Sequence, residues 1–79
     1  MSIVESSAEV NFKANLFQTL KIYITDNPNT ADDLQVEMGC TLEEMYDIYG
    51  GKIHKFTIYR LSEIVGATLQ NISKKYALS

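Results

Sequence analysis

Residues 30–53 read TADDLQVEMGCTLEEMYDIYGGKI, and their punctuation decides the fold. Thr30 with Asp33, and Thr41 with Glu44, each set a hydroxyl three residues ahead of an acid, the pattern with which a helix start satisfies its free N–H groups. Leu34 and Met38 fall on one face of the first short helix, and Gly39 can close it in a left-handed conformation. Cys40 and Met45 stand where a hydrophobic staple clamps the chain's entry into the second helix, expected over 42–49. Gly50-Gly51 then breaks that helix. Two stubby helices joined by a tight turn are therefore expected to lock together through Leu34, Met38, Met45 and Ile48, with the second helix turning its outer face to solvent.

Working outward towards the N-terminus, Ser6 and Glu9 form another capping box, and Leu16, Leu20 and Ile24 recur every four positions. Phe12, Phe17 and Tyr23 widen this stripe, which predicts a helix to about Thr25. Asp-Asn-Pro-Asn at 26–29 stops it, because proline disfavours a helical residue before it and Asx side chains favour turns. Residues 1–5 are expected to be a disordered tail. On the other side, Thr57 is the next cap, with Phe56 and Leu61 in staple positions. Ile58, Leu61, Val65, Leu69, Ile72 and Tyr76 keep a spacing of three to four, so a helix either continues through Gly66 to about Tyr76 or breaks near Gly66–Thr68. The unbroken spacing favours continuation. No segment alternates as a half-buried strand would. The predicted class is all-α, a single helix-turn-helix domain of four to five helices over 1–79, with the two short helices at 30–49 and a C-terminal helical segment at 57–76.

Composition bounds the function. Seventy-nine residues make one domain, and a chain this short buries only about 60% of its unfolded surface. No apolar run approaches the ~20 residues that cross a bilayer, and MSIVESSAEV has no signal-peptide character, so a cytoplasmic protein without membrane contact is expected. One histidine, one cysteine, no glycine-rich phosphate loop and no paired ligand motif argue against an enzyme, a metal site or a cofactor. Cys40 reads as a small buried apolar residue in the turn. His54 reads as a surface residue. Of the five tyrosines, Tyr23 and Tyr49 are expected in the core or an interface, and Tyr46 outside.

Charge is distributed in two blocks. Seven acids and no base lie between Asp26 and Asp47, whereas from Lys52 onward five bases (Lys52, Lys55, Arg60, Lys74, Lys75) face only Glu63. A polyanion is therefore expected to meet the later half of the chain. Glu43, Glu44 and Asp47 read as an acidic face on the helix at 42–49, although the helix dipole and capping also explain Asp33 and Glu44.

The helix-turn-helix stretch, together with YGGKIHKFTIYRLSEI at 49–64, resembles the lambda-repressor/Cro (XRE) regulators, within them the HigA-type antitoxin and phage-regulator branch. The resemblance covers roughly residues 12–68. The Gly-Lys…Phe-Thr segment carries it best. It implies a transcriptional regulator that binds double-stranded DNA as a homodimer, with helix 42–49 in the major groove. On that mapping Thr41, Leu42, Glu43, Tyr46 and Asp47 face the bases, and Gly51, Lys52 and Lys55 lie near phosphates. Members of the family often carry glutamine where this chain has Ala31 and Leu42, and a small residue where it has Gln35. The apolar stripe Val65, Leu69, Ile72 and Tyr76, beyond what a four-helix core needs, is the expected dimer interface. The second reading is a helix-turn-helix scaffold that no longer reads DNA and binds a basic protein partner, such as a toxin, through its acidic face.

Overall fold

The computed structural model describes residues 7–27 and 29–77. The expected tail at 1–5, Ser6 of the first capping box and Pro28 lie outside them. Four α-helices follow one another: α1 (Ser7–Asp26), α2 (Ala31–Met38), α3 (Leu42–Tyr49) and α4 (Ile58–Ala77), with one 3-10 turn at Ile53–Lys55. There is no strand among the described residues. α4 runs unbroken through Gly66, where no heavy atom crowds the position of a Cβ. None of the helices is long and apolar enough to cross a membrane.

The helix boundaries follow local hydrogen bonding. Thr30 accepts from the Asp33 N–H at 3.3 Å, and Thr57 from the Arg60 N–H at 3.0 Å. α1 ends where Asn27 Nδ2 donates to the Tyr23 carbonyl at 2.7 Å. Gly39 closes α2 with φ +63°, its N–H donating to the Val36 carbonyl and that of Cys40 to Gln35. After α3 the left-handed residue is Gly51 (φ +72°), while Gly50 remains in a right-handed conformation.

Leu34, Met38, Met45 and Ile48 are all fully buried, in one core with Phe17, Leu20, Ile24, Cys40, Phe56, Leu61 and Ile64. Phe17 and Phe56 meet as tilted rings with centroids 6.0 Å apart. Cys40 is buried in the turn, and burial pushes its thiol up to about 11. One aromatic assignment is corrected and another narrowed. Phe12 does not widen the α1 stripe but is half exposed, because the buried residues of α1 begin at Phe17, where Phe56 packs against it. Tyr49 is not in the core, because Met45 and Ile48 take the inward side of α3, which leaves the interface of its two expected places.

α1 and α4 lie side by side in the same direction: Glu9 and Lys13 share a depression with Ile58 and Tyr59, while Ile22, Tyr23 and Asp26 share a groove with the later half of α4. α2 and α3 lie between them in sequence and pack on each other, α2 chiefly against α4 and α3 against α1.

The turn depends on two constraints at Gly39. A side chain there meets the left-handed backbone penalty, about 1–2 kcal/mol, and its Cβ would lie 3.1 Å from Ala67 Cβ on α4. Gly51 has a similar φ but nothing within 4 Å of the added atom. Gly39→Ala is therefore expected to lower the urea unfolding midpoint more than Gly51→Ala. Equal losses would show that the close approach of α2's end to α4 is not a constraint on the fold.

Candidate nucleic-acid interface

α3 begins with a closed capping box: Thr41 Oγ1 accepts from the Glu44 N–H at 3.1 Å, and Glu44 Oε1 accepts from the Thr41 N–H at 2.9 Å. The same carboxylate is gripped from α4. Arg60 Nε donates to Oε2 at 2.7 Å and Nη2 to Oε1 at 2.8 Å, and Nη2 also reaches the Gly39 carbonyl at 3.2 Å. The Arg60 hydrogen bonds hold the Glu44 carboxyl at about 2, against a burial that acts in the opposite sense. One guanidinium thus ties α4 to the start of α3 and to the turn.

Asp47, expected to face bases, is instead mostly covered. Its side chain is 14% exposed and its Oδ1 lies 3.8 Å from Lys55 Nζ. At the far end of α3, Lys21 of α1 donates to the Tyr49 carbonyl at 3.2 Å, a cation at the negative end of the helix dipole. What remains on the outer face of α3 is Leu42, Glu43, Tyr46 at 63% exposure, and Tyr49. Thr41, Gly51 and Lys52 flank this face and are exposed, as is His54.

No protein-family model, curated protein or solved structure matches this chain.

The separation of charge along the sequence does not survive folding. Glu37 of α2 accepts from Tyr23 Oη at 3.0 Å and from Asn29 Nδ2 at 3.3 Å, and pairs with Lys75 of α4 at 3.4 Å. Burial, then Glu37, raises the Tyr23 phenol above its ordinary value. Arg60, Lys55 and Lys75, three of the five later bases, fold back onto Glu44, Asp47 and Glu37, three of the seven central acids. The later half is therefore not a free basic face; Lys52 and Lys74 are its exposed bases without a recorded acid partner among the described residues. The acidic face on α3 shrinks correspondingly to Glu43, with Asp32 and Asp33 exposed on α2.

Val65, Leu69, Ile72 and Tyr76 come together along one groove of about 610 Å³, whose other wall is Thr19, Ile22, Tyr23 and Asp26 of α1. Leu69 and Tyr76 are 56% and 77% exposed, while Val65 and Ile72 are half-buried. Lys21, Arg60 and the α1 wall of the groove were not singled out as site residues from the sequence. Their partners lie 28, 16 and dozens of positions away, beyond any local spacing signal. Among the described residues no group of three or more His, Cys, Asp or Glu is arranged to hold a metal ion.

Proposed function

We propose that α2, the Gly39 turn and α3 form a helix-turn-helix of the lambda-repressor/Cro (XRE) type, and that the protein is a transcriptional regulator presenting α3 to the major groove of double-stranded DNA. The observation that carries this reading is the neutralisation of α3. Glu44 and Asp47 are held internally by Arg60 and Lys55, which leaves Leu42, Glu43 and Tyr46 as the outward side chains nearest its N-terminal end. That end of a recognition helix supplies the base contacts in this motif. A carboxylate can accept from a cytosine amino group, and Leu42 offers apolar contact to a thymine methyl. Lys52, exposed just beyond α3, is placed to meet a phosphate.

A second reading has its own support. DNA affinity comes largely from neutralised phosphates, and Lys21, Lys55, Arg60 and Lys75 already have internal partners. Asp32 and Asp33 with exposed Val36 on α2, and Glu43 with exposed Tyr46 on α3, would suit basic, partly apolar protein surface, such as that of a toxin.

Titration of labelled duplexes at two salt concentrations distinguishes the two. The DNA reading expects binding that weakens steeply with salt, and a Lys52→Glu variant that binds more weakly on every sequence, with the salt slope reduced by about one. No binding at low salt to any duplex, including those upstream of the coding region, would discard it and leave the protein-binding reading.

A further inference from the structure

We propose that the groove between α1 and the later half of α4 is a binding site for a small amphipathic cation, a protonated primary amine carried on an apolar body. Its volume of about 610 Å³ is that of a small-molecule site, and Ile22, Val65, Leu69 and Ile72 give it apolar walls. From residue 65 to residue 72 the α4 wall runs on the order of 10 Å, enough to lie along a short hydrocarbon chain. The polar groups of the lining decide the head group. Thr19 and Thr68 donate their hydroxyl protons to the carbonyls of Asn15 and Ile64, at 2.9 and 2.7 Å, and Tyr23 donates its own to Glu37. Asn27 has one amide proton on the Tyr23 carbonyl. What these side chains retain is chiefly acceptor oxygen. A ligand that brings N–H donors satisfies them, and one that brings further acceptors does not. Asn71, whose buried amide nitrogen has no partner among the described residues, is not part of the lining.

Charge selects the same head group independently. α1 ends at Asp26, an acid at the negative end of a helix dipole, with no base in the last turn to offset it. α4 runs in the same direction and ends at Ala77, so its carbonyl end lies on the same side. The one cation of the lining, Lys75, pairs at 3.4 Å with Glu37, which is not in the lining, and that pair is neutral in sum. Asp26 has no recorded partner among the described residues. Its carboxylate is therefore left for the ligand's ammonium, and the hydrocarbon lies back from it towards Val65, between Ile22 and Leu69.

The full chain is titrated at neutral pH with octylammonium, octanol, octanoate and methylammonium, all below micelle formation, and followed by amide NMR spectra. Octylammonium is expected to bind saturably, moving the signals of residues 19–27 and 65–76 and raising the melting temperature. Octanol should bind more weakly, octanoate more weakly still, and methylammonium, which has no apolar body, not at all. Asp26→Asn should weaken octylammonium binding about fivefold, the most that a partly exposed ion pair supplies, and leave octanol unchanged. Leu69→Ser should weaken both ligands, with far-UV circular dichroism unchanged in either variant. No saturable binding, octanoate binding as tightly as octylammonium, or signals moving elsewhere overturns the proposal. So does a dimer that takes up no octylammonium and is dissociated by Leu69→Ser, since the groove then belongs to a second copy.

Discussion

Leu34→Ala is expected to remove about 2–5 kcal/mol of folding free energy, the range for truncating a buried leucine with the cavity it leaves. The side chain is fully buried where α2 meets α3, beside Met38, Met45 and Ile48. A chain of 79 residues holds in total roughly 4–12 kcal/mol. The substitution thus takes a large fraction of the whole, and at about 4–8 °C per kcal/mol it lowers the melting temperature by on the order of 10 °C or more. Val36→Ala is the comparison. It lies two residues along the same helix but is 81% exposed, so its effect should stay within about 0.5 kcal/mol. Urea denaturation of both variants decides the matter. Similar small losses from the two would mean that α2 does not dock as described, and the helix-turn-helix reading would go with it.

The second large effect concerns Glu44 and Arg60. The side chain of Glu44 is 20% exposed and its carboxyl is held at about 2 by Arg60, against an ordinary value of 4.5. A folded-state value below the unfolded one stabilises the protein wherever the carboxylate is ionised in both states. The contribution is therefore complete above pH ~4.5 and is lost as pH falls from there towards ~2. Its size is on the order of 2–3 kcal/mol, with solvent access at Arg60 pulling it towards the lower figure. Arg60→Ala should destabilise by about 1–3 kcal/mol at neutral pH, because a partly buried carboxylate loses its charged partner while keeping its cap. It should also flatten the acid limb of the stability curve between those pH values. Stability measured by urea unfolding from pH 7 to pH 2.5 in both proteins tests this. An acid limb in Arg60→Ala as steep as that of the parent would show that other carboxylates govern acid unfolding.

These two sites also mark where reading the sequence succeeded and where it stopped. Leu34, Met38, Met45 and Ile48 could be assigned to one core from spacing, and the limits of α3 from Thr41 and Gly50, because capping and the helical period act across three or four residues. Phe12 was misassigned by the same periodicity, which says which face a residue occupies but not whether another element arrives to cover it. The acidity of α3 was legible as composition and illegible as geometry. Glu43, Glu44 and Asp47 lie within five consecutive residues, yet one is exposed, one is clamped by Arg60 and one is covered beside Lys55.

The sequence by itself determined the helices, their breaks and the left-handed turn at Gly39, since each follows from contacts within a turn or two of the chain. Only the tertiary structure decided which charges face solvent. The ion pairs Glu44–Arg60 and Glu37–Lys75 join residues 16 and 38 positions apart, and they form because α4 packs against α2 and its first turn brings Arg60 within reach of the start of α3. The groove has the same origin. The stripe on α4 is written in its own residues, but the wall opposite belongs to α1, and only the packing of two distant helices makes the two into one surface.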